Sequence, residues 1–489
     1  MKERTFAISP MPRVEGDLEA RVHVRQNRVT EAWIAGVMFR GFEKLLIGRD
    51  PMDALVFAPR ICGICSIGQS TAASDMLGRF YGVGMPENAY WVRNTVLGAE
   101  IIMNHQTHFY LLFAVDLTHP SLKGRPGYEE MCRRFHSLEG EAYLDVLKNR
   151  KTILEIMGLL AGKWPNSLAF QPGGVTRPIT RSDRLRMLGV WRSVREFIEK
   201  RVLGGSLERW LEVSSLSDMD RWLGEASHAD GDLGLFIRYG REWGLDTLGK
   251  GQSRFLSYGA FPRPDGSSLY KSGFSDTQSV ASLEPGSITE DVSHSWFLES
   301  HSLHPYEAKT ASDVHKEGAY SWAKAPRYQG YVTEVGPIAR LIVQQDPLAL
   351  DLVKELGNTV YTRIVLRFHD LMIILSAMET WIRSMDPEAP FYNKHKPRSE
   401  GEAFGFSEVS RGALGHWMQV KNGIIVNYQV ISPSTWNFSP RGFKGKPGPV
   451  EQALTGTPVT DEQDLIEVKQ IIRSFDPCLF CAVHSGGIS

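Results

Sequence analysis

Two Cys-x-x-Cys pairs, one near each end of the chain, constrain the fold more than any other feature of this sequence. The first pair is Cys62 and Cys65 in "RICGIC", and the second is Cys478 and Cys481 in "DPCLFC". Each such loop lets two thiolates converge on one soft metal ion, such as zinc, iron or nickel. In zinc ribbons the two pairs lie about 15–20 residues apart, whereas here almost the whole chain separates them. A shared four-sulfur site therefore predicts a fold that brings both ends of the chain together.

The span between the pairs favours a buried catalytic metal centre over a local structural zinc site, because the site would form only once the whole chain has folded. The alternative is that the two pairs are unrelated structural or redox elements. The chain has five cysteines, and the fifth, Cys132 in "EEMCRRFHS", stands apart from the pairs. It is typical of a reduced core thiol.

Charge balance and hydropathy argue against a nucleic-acid-binding protein and against a membrane-spanning or secreted one. With 55 basic and 56 acidic residues the net charge is -1, which gives no support for nucleic-acid binding. No stretch long enough to span a bilayer is free of charged residues. The opening "MKERTFAISPMPRVEGD" lacks the apolar core of a signal peptide. We therefore expect a cytoplasmic protein, with peripheral membrane association only through partners.

Hydrophobic spacing predicts an α+β fold that is mainly helical. Alternation in "EARVHVRQNRVTEAWIAGVMF" predicts a β-hairpin within about residues 1–40, with Val29 and Val37 on one face. Long apolar segments, such as residues 88–117 and 346–385, predict a central bundle of buried long helices. The stretch of about 250–340, rich in Gly, Ser, Pro and aromatic residues, predicts loops and short strands. No domain boundary is evident, so residues 1–489 are expected to form a single unit.

Two local signals predict where elements begin or turn. Ser182 in "SDRLRMLGVWRS" is a candidate N-cap for the helix that follows it. Asn422-Gly423 in "VKNGIIV" is the dipeptide that most favours a tight β-hairpin.

Several segments of the chain resemble one known family. "RICGIC" near the start and "DPCLFCAVH" at the end look like the large subunit of a [NiFe] hydrogenase. The likeness runs along the whole chain, because further segments fall in the family's order. These are "PRVEGDLE", "FRGFEKLL", "HFYLLFAVD", "AGKWPNSLAFQPGG", "YSWAKAPRYQGYVTEVGPIAR", "RGALGHW" and "PSTWNFSPR". The resemblance implies the [NiFe]-hydrogenase large-subunit fold.

The resemblance also implies a cofactor and a reaction. All four paired cysteines would bind nickel, and Cys65 and Cys481 would also bridge to iron. In this family the iron carries two cyanides and one carbon monoxide, and H2 is split heterolytically at the two metals. Electrons leave through iron–sulfur clusters in a separate small subunit, which agrees with the lack of spare cysteines here.

Four further residues match functional positions of the family. Glu15 matches the glutamate that relays the proton from a terminal cysteine thiolate, here Cys478. Arg411 matches the arginine suspended over the metals, whose guanidinium also contacts a cyanide. Asp476 matches the carboxylate that positions this arginine, and Ser434 matches the hydroxyl donor to the other cyanide. The alternative for each is an ordinary buried hydrogen bond, or for Glu15 a surface or capping role.

A second metal site is implied near the C-terminus. Glu43 and His484, with the backbone carbonyl of Val430, match ligands of a divalent ion that is usually Mg²⁺. The alternative for Glu43 is a salt bridge to a neighbour such as Arg40.

Three departures from the family pattern affect the functional interpretation. Gln69 stands where a histidine is common, and an amide cannot titrate. Asn104 replaces the usual aspartate and removes a negative charge near Arg411. The sequence ends five residues after His484, whereas many relatives carry a longer tail that a protease removes. Gln69 and the short tail resemble the hydrogen-sensing and related cytoplasmic uptake branch.

The resemblance also implies that large side chains lie along the tunnel through which gases reach the metals. Ile64 is larger than the valine of many standard enzymes, and Leu112 matches the position of a bulky aromatic in sensors. These two residues would partly narrow the gas tunnel. The alternative is ordinary core packing.

The leading hypothesis is the catalytic subunit of a hydrogen-oxidising [NiFe] hydrogenase. A second is a hydrogen sensor with slow turnover that signals to a histidine kinase. A third, a metal-free relative such as the homologous subunit of respiratory complex I, is disfavoured by the intact cysteines. The expected partner is an iron–sulfur small subunit, with a signalling or electron-acceptor protein and a higher oligomer of heterodimers as further candidates.

Overall fold

Helices dominate the architecture, with 45% of the residues in helices and 19% in strands. The computed structural model describes residues 3–299 and 301–483. The prediction of a mainly helical α+β fold is confirmed. Among the helices of these described ranges, none combines the length and apolar character needed to cross a bilayer.

The α-helices are, in chain order, α1 (Phe42–Leu46), α2 (Ala54–Phe57), α3 (Ser66–Tyr81), α4 (Glu87–Thr107), α5 (Tyr128–Phe135), α6 (Glu141–Ala161), α7 (Arg181–Phe197), α8 (Leu207–Leu211), α9 (Leu216–Leu223), α10 (Asp232–Glu242), α11 (Pro337–Gln344), α12 (Pro347–Leu356), α13 (Val360–Ser384), α14 (Pro433–Asn437), α15 (Pro449–Leu454), α16 (Ile466–Ser474) and α17 (Leu479–Ala482). The strands are β1 (Arg4–Ile8), β2 (Leu18–Arg25), β3 (Arg28–Gly36), β4 (Phe170–Gln171), β5 (Gly174–Val175), β6 (Phe255–Pro262), β7 (Ser268–Ser275), β8 (Val280–Ala281), β9 (Ile288–Asp291), β10 (Ala325–Tyr328), β11 (Gly401–Val409), β12 (Gly412–Lys421) and β13 (Ile424–Ile431). Short π-helical segments continue α4 and α7, at His108–Phe113 and Ile198–Leu203.

The N-terminal hairpin is confirmed and gains a third strand. Strands β1, β2 and β3 form an antiparallel sheet in that order. The prediction that Val29 and Val37 lie on one face of the hairpin is wrong. A register shift at His23–Val24 marks a β-bulge, so Ala32 and Ile34, of the opposite parity, are buried with Val29. Val37 lies beyond the strand and is 40% exposed.

The predicted bundle of long helices forms the centre of the main hydrophobic core. Helix α13 packs on α4 and α7, and α6 packs on α4 and α7. This core also takes in side chains from Met11 near the start of the chain to Ala482 near its end. The helix predicted to begin at a Ser182 cap begins instead after Thr180, whose hydroxyl and the Asp183 carboxylate form a reciprocal capping box.

Sheet β11–β12–β13 holds α3 against the site of interest. Strands β12 and β13 turn at Asn422 and Gly423, which have φ of 53° and 79°, so the predicted hairpin is confirmed. Helix α3 packs on β11 at Gly68, where an added Cβ would lie 2.1 Å from Cγ1 of Val409. This close approach sets the first Cys-x-x-Cys pair beside the end of β11. The stretch of about 250–340 contains short strands β6–β10 joined by loops, as predicted.

Candidate metal centre

The structure brings all four paired cysteines together in one buried group, here called the cysteine cluster. Sγ of Cys62 lies 3.4 Å from Sγ of Cys478, and Sγ of Cys65 lies 3.2 Å from Sγ of Cys481. The sulfurs of Cys478 and Cys481 are 3.0 Å apart. Every member is at most 2% exposed. The two ends of the chain therefore meet at a set of soft donors of the kind that binds a thiophilic metal.

The elements that follow the two cysteine pairs, and the N-terminal segment around Glu15, hold the pairs next to each other. Cys65 immediately precedes α3, and Cys478 immediately precedes α17. The second loop is held by the N-terminal segment, because the amide of Leu479 donates to the carbonyl of Glu15 at 2.6 Å. Gly16 permits this approach: its φ is 82°, and an added Cβ would lie 2.9 Å from the backbone nitrogen of Phe480.

Ionisation of all the thiols in the cluster is opposed unless a metal cation is bound. Hydrogen bonds from Cys478 and the other thiols lower the pKa of Cys62 well below its usual value. Burial and the neighbouring sulfurs raise the pKa of Cys481 well above its usual value. One thiolate is thus favoured, and each further negative charge at these separations is strongly opposed. A bound metal cation would remove this opposition, so the donor set fits a nickel or iron centre.

Arg411 and Asp476 form a buried pair beside the cluster. The Arg411 Nε donates to the backbone oxygen of Asp476 at 3.1 Å, and its NH2 lies 2.9 Å from the Asp476 Oδ1. Burial alone would raise the pKa of Asp476, but Arg411 and the other basic groups around it hold that pKa at about 2. Within the described residues the NH1 of Arg411 has no hydrogen-bond partner. One face of the guanidinium thus remains available to a ligand.

Glu15 and Ser434 also lie at the cluster. The segment of Glu15 runs parallel to that of Cys478, and its amide donates to the carbonyl of Pro477 at 3.3 Å. Burial raises the pKa of Glu15, and the positive charge of Arg411 offsets part of that rise. The hydroxyl of Ser434 accepts from the amide of Cys478 at 3.0 Å, so its proton can be donated elsewhere.

Gln69 and Asn104, which depart from the family pattern, are buried next to the first cysteine pair, whereas Ile64 and Leu112 are half-buried. Gln69 lies one turn into α3, and its Oε1 is 2.8 Å from Nε2 of His416. Asn104 donates to the carbonyl of Ile64 at 3.0 Å. The side chain of Ile64 packs against the cysteine cluster. Leu112 lies in the segment after α4, where its carbonyl accepts a hydrogen bond from Arg13 at 2.5 Å.

Glu43 lies in a second buried polar site, although its partner is not Arg40. The Oε1 of Glu43 accepts from the backbone amide of Val430 at 3.0 Å, and its Oε2 is 3.2 Å from Nζ of Lys324. The same ammonium lies 3.3 Å from Glu290. Arg40 instead donates to the carbonyls of Arg60 and Phe480 at 3.1 Å. His484 lies outside the described residues.

A set of charged residues around the cluster was not found from the sequence. Glu100 on α4 accepts from the amides of Ile67 and Gly68 at 2.8 and 2.9 Å, and burial raises its pKa to about 7. Behind Asp476 lies a buried group that links α4, α11 and α13. Its members are His105, Arg340, Arg367 and Asp370. The available signal was confined to α13, where Arg363, Arg367 and Asp370 recur one helical turn apart in an otherwise apolar segment.

Comparisons with known proteins place the whole chain in one group. A family model described as "Nickel-dependent hydrogenase" matches residues 40–121 and 136–484. The chain is 31% identical to the periplasmic [NiFeSe] hydrogenase large subunit of Desulfomicrobium baculatum, over 98% of this chain and 94% of that protein. It is 28% identical to the uptake hydrogenase large subunit of Bradyrhizobium diazoefficiens, over 98% and 95% of the two chains. A solved structure of the D. baculatum [NiFeSe] hydrogenase, 30% identical in sequence, superposes with a TM-score of 0.85 over 99% of this chain and all of the other.

Proposed function

This chain belongs to the nickel-dependent hydrogenase family and is the catalytic large subunit of a [NiFe] hydrogenase, and from that premise we propose that it oxidises H2 to protons and electrons. The observation that carries the proposal is the convergence of four buried thiols with Arg411 and Glu15 at one site. The name of the B. diazoefficiens relative, an uptake hydrogenase, supports this direction of the reaction.

We assign the cysteine cluster to a nickel–iron centre. Cys62, Cys65, Cys478 and Cys481 would hold nickel, and Cys65 and Cys481 would be shared with an iron that carries two cyanides and one carbon monoxide. When bound, this centre makes H2 acidic enough to be split heterolytically. The unpaired NH1 of Arg411 and the Ser434 hydroxyl are the donors that this chain offers to the cyanides.

Glu15 is the group that accepts the proton. Its segment runs beside that of Cys478, and burial raises the pKa of its carboxyl, which suits a base that must both take up and release a proton. Asp476 keeps Arg411 oriented through two contacts and stays ionised because its pKa is about 2. The two carboxyl groups thus have different roles: Asp476 keeps a fixed negative charge, and Glu15 can take up and release a proton.

A second cation site is proposed at Glu43. The Glu43 carboxylate, 1% exposed, shares the ammonium of Lys324 with Glu290, so a divalent cation would bind in place of that ammonium. Together with the Glu290 carboxylate these oxygens form a hard donor set of the kind that suits Mg²⁺. The carbonyl of Val430 and His484 complete the proposed ligands. Magnesium analysis of the purified protein, before and after Glu43→Gln, tests this assignment.

The electrons require a partner. Apart from the cluster, the sequence has one cysteine, Cys132, so this chain cannot ligate an iron–sulfur cluster through cysteine alone. We propose a small subunit with iron–sulfur clusters, and co-purification followed by iron and sulfide analysis tests it. Size-exclusion chromatography of that complex tests for a higher oligomer. A cytoplasmic location stays a prediction that cell fractionation can check.

Hydrogen sensing is the second candidate, and Gln69 is the observation that favours it. Its amide is neutral and fully buried one turn after Cys65, at a position where a titratable histidine is common in the family. Turnover with an artificial electron acceptor separates the two candidates, because fast turnover supports hydrogen oxidation and slow turnover supports a sensor coupled to a histidine kinase.

Infrared spectroscopy of the purified complex is the decisive experiment for the proposed function. Two cyanide bands and one carbon monoxide band that respond to H2 are the expected result. A protein that contains nickel but lacks these bands, or whose bands ignore H2, would contradict the proposal.

A further inference from the structure

A buried imidazole joins two long helices behind Asp476. His105 lies on α4, is 2% exposed, and faces Arg367 and Asp370, which lie one turn apart on α13. Nε2 of His105 is 2.6 Å from Oδ2 of Asp370. On the other side of the ring, Nδ1 is 3.0 Å from NH1 of Arg367.

These two short contacts determine which ring nitrogen carries the proton, because the third neighbour of the ring, NH2 of Arg340, is 3.5 Å from Nε2 and too far to compete with Asp370. A guanidinium can only donate, so Nδ1 of His105 must accept, and the proton therefore resides on Nε2 and is donated to Asp370. Burial and the positive charge of Arg367 lower the pKa of His105 to about 4, although Asp370 opposes this effect. The ring is held neutral, with its Nδ1 lone pair directed at Arg367.

Arg367 continues the connection toward the cluster. The same NH1 atom that meets His105 lies 3.0 Å from Oδ2 of Asp476. The other carboxylate oxygen of Asp476 takes the ion pair from Arg411. An unbroken series of contacts thus runs from His105 through Arg367 and Asp476 to Arg411.

Asp370 does not depend on His105 for its own position. Nε of Arg340, on α11, donates to its Oδ1 at 2.8 Å. NH1 of Arg340 also donates to the carbonyl of Val409 at 2.7 Å. Arg340 thus holds the backbone before Arg411 at Val409, and Arg367 adds a longer contact of 3.4 Å to the carbonyl of Ser410. The shortest contact of Arg367 toward the cluster is the one with Asp476, so the series through His105 acts mainly on the Arg411 guanidinium.

We propose that His105 is a positioning residue for hydrogen oxidation: its Nδ1 directs Arg367 at Asp476 and thereby sets the orientation of the Arg411 guanidinium beside the cysteine cluster. The inference rests on the proposed function, because Arg411 serves the reaction only if the cluster holds the nickel–iron centre. The inference goes beyond the proposed function, because it assigns Nδ1 of His105 a role at the cysteine cluster, which His105 does not contact.

The two amide substitutions at His105 separate the two ring contacts. Asparagine places an oxygen near the position of Nδ1 and keeps the acceptor for Arg367, whereas glutamine places a nitrogen near Nε2 and keeps only the donor to Asp370. We expect H105Q to shift the cyanide and carbon monoxide bands of the purified complex and to lower turnover about 10- to 100-fold at unchanged nickel content. H105N should restore band positions and turnover toward those of the wild type.

The matched control is His369→Asn on α13, which loses the contact between Nε2 of His369 and Asp346, a histidine–aspartate pair outside the series. It should leave the bands unmoved. Unshifted bands in H105Q, or equal shifts in H105N and H105Q, would overturn the inference. If H105Q does not accumulate as folded protein, Arg367→Lys provides the test, because it removes the guanidinium that links His105 to Asp476. Unmoved cyanide and carbon monoxide bands in Arg367→Lys would also overturn the inference. Missing bands in the wild type would instead overturn the proposed function.

Discussion

Gln69 and His416 lie 2.8 Å apart, with Oε1 of the amide facing Nε2 of the ring. Nδ1 of the same ring is 2.7 Å from the hydroxyl of Tyr428 on β13. Both Gln69 and His416 have no measurable exposure. The residue one turn after Cys65 is therefore tied to sheet β11–β12–β13, and this contact helps to hold α3 and the first cysteine pair in place.

The first prediction concerns this contact. Gln69→Met keeps the length of the side chain but removes the oxygen that faces His416. The loss of one buried hydrogen bond should lower the stability of the fold by about 1 kcal/mol, measured as a lower midpoint of chemical unfolding. The control is Gln419→Met, because Gln419 makes an exposed contact with Glu402 and should have a smaller effect. Equal midpoints for the two variants would contradict a structural role for the buried contact.

The second prediction is that nickel content depends on the paired cysteines and not on Cys132. Cys62→Ser replaces a soft donor with a hard one in the cluster and should leave the protein with little or no nickel. Cys132→Ser alters the cysteine outside the cluster and should leave nickel content unchanged. Mass-spectrometric metal analysis of both purified variants provides the measurement. Full nickel in Cys62→Ser would rule out the proposed ligand set.

The parts of the site that could be predicted from the sequence were those carried by short segments of chain. Each cysteine pair fits within four residues, and Glu15 and Arg411 each lie in a short run that resembles the family. The elements that form by local spacing, such as α13 and the Asn422-Gly423 hairpin, were also predicted correctly.

The parts that could not be predicted depend on contacts between distant segments. Lys324 pairs with Glu43 across most of the chain, and His105 meets Arg367 from another helix. A single charged residue in an apolar helix gives no sign of its partner, since burial and pairing are decided only when helices pack. The face of β3 was predicted wrongly for a similar reason, because the bulge depends on its pairing with β2.

The third prediction is that Glu15→Gln removes proton transfer while it preserves the metal centre. The amide has nearly the same shape but cannot take up a proton at any working pH. Turnover should fall about 100-fold or more, in the range typical of a lost general base, with wild-type infrared bands. Glu19→Gln, at a partly exposed residue that pairs with Arg21, is the matched control and should keep its activity. Wild-type turnover in Glu15→Gln would exclude Glu15 as the proton acceptor.

The fourth prediction concerns the dependence of stability on pH. Burial is the main cause, and the positive charge of Arg367 the second, of the lowered pKa of His108, which is about 3 compared with an ordinary value of 6.5. Between these values the unfolded chain binds a proton that the folded chain does not, so stability falls as pH falls from about 6.5 to about 3. The slope contributed by one such group is at most about 1.4 kcal/mol per pH unit.

His108→Gln tests this assignment. The amide can still donate to the carbonyl of Arg473, which the ring of His108 contacts at 2.6 Å, but it does not titrate. Unfolding midpoints measured from pH 7 to pH 4 should therefore decline less steeply in the variant than in the wild type. His315→Gln changes an exposed histidine and should keep the wild-type slope. An unchanged slope in His108→Gln would show that His108 does not contribute to acid sensitivity.

The last prediction is that Arg411→Lys keeps nickel at the cluster but lowers turnover, because it preserves the positive charge and loses the geometry of the guanidinium. Arginine makes one hydrogen bond and one ion pair with Asp476 and leaves its NH1 for a ligand, whereas lysine offers a single ammonium on a flexible stem. The positive charge is retained, so nickel should be retained too. The loss of a pre-oriented donor should lower turnover about 100-fold and shift the cyanide bands. Arg195→Lys, at a partly exposed residue paired with glutamates, should match the wild type in both respects. Normal turnover in Arg411→Lys would mean that charge alone is sufficient at this position, and loss of nickel would assign Arg411 to assembly of the centre.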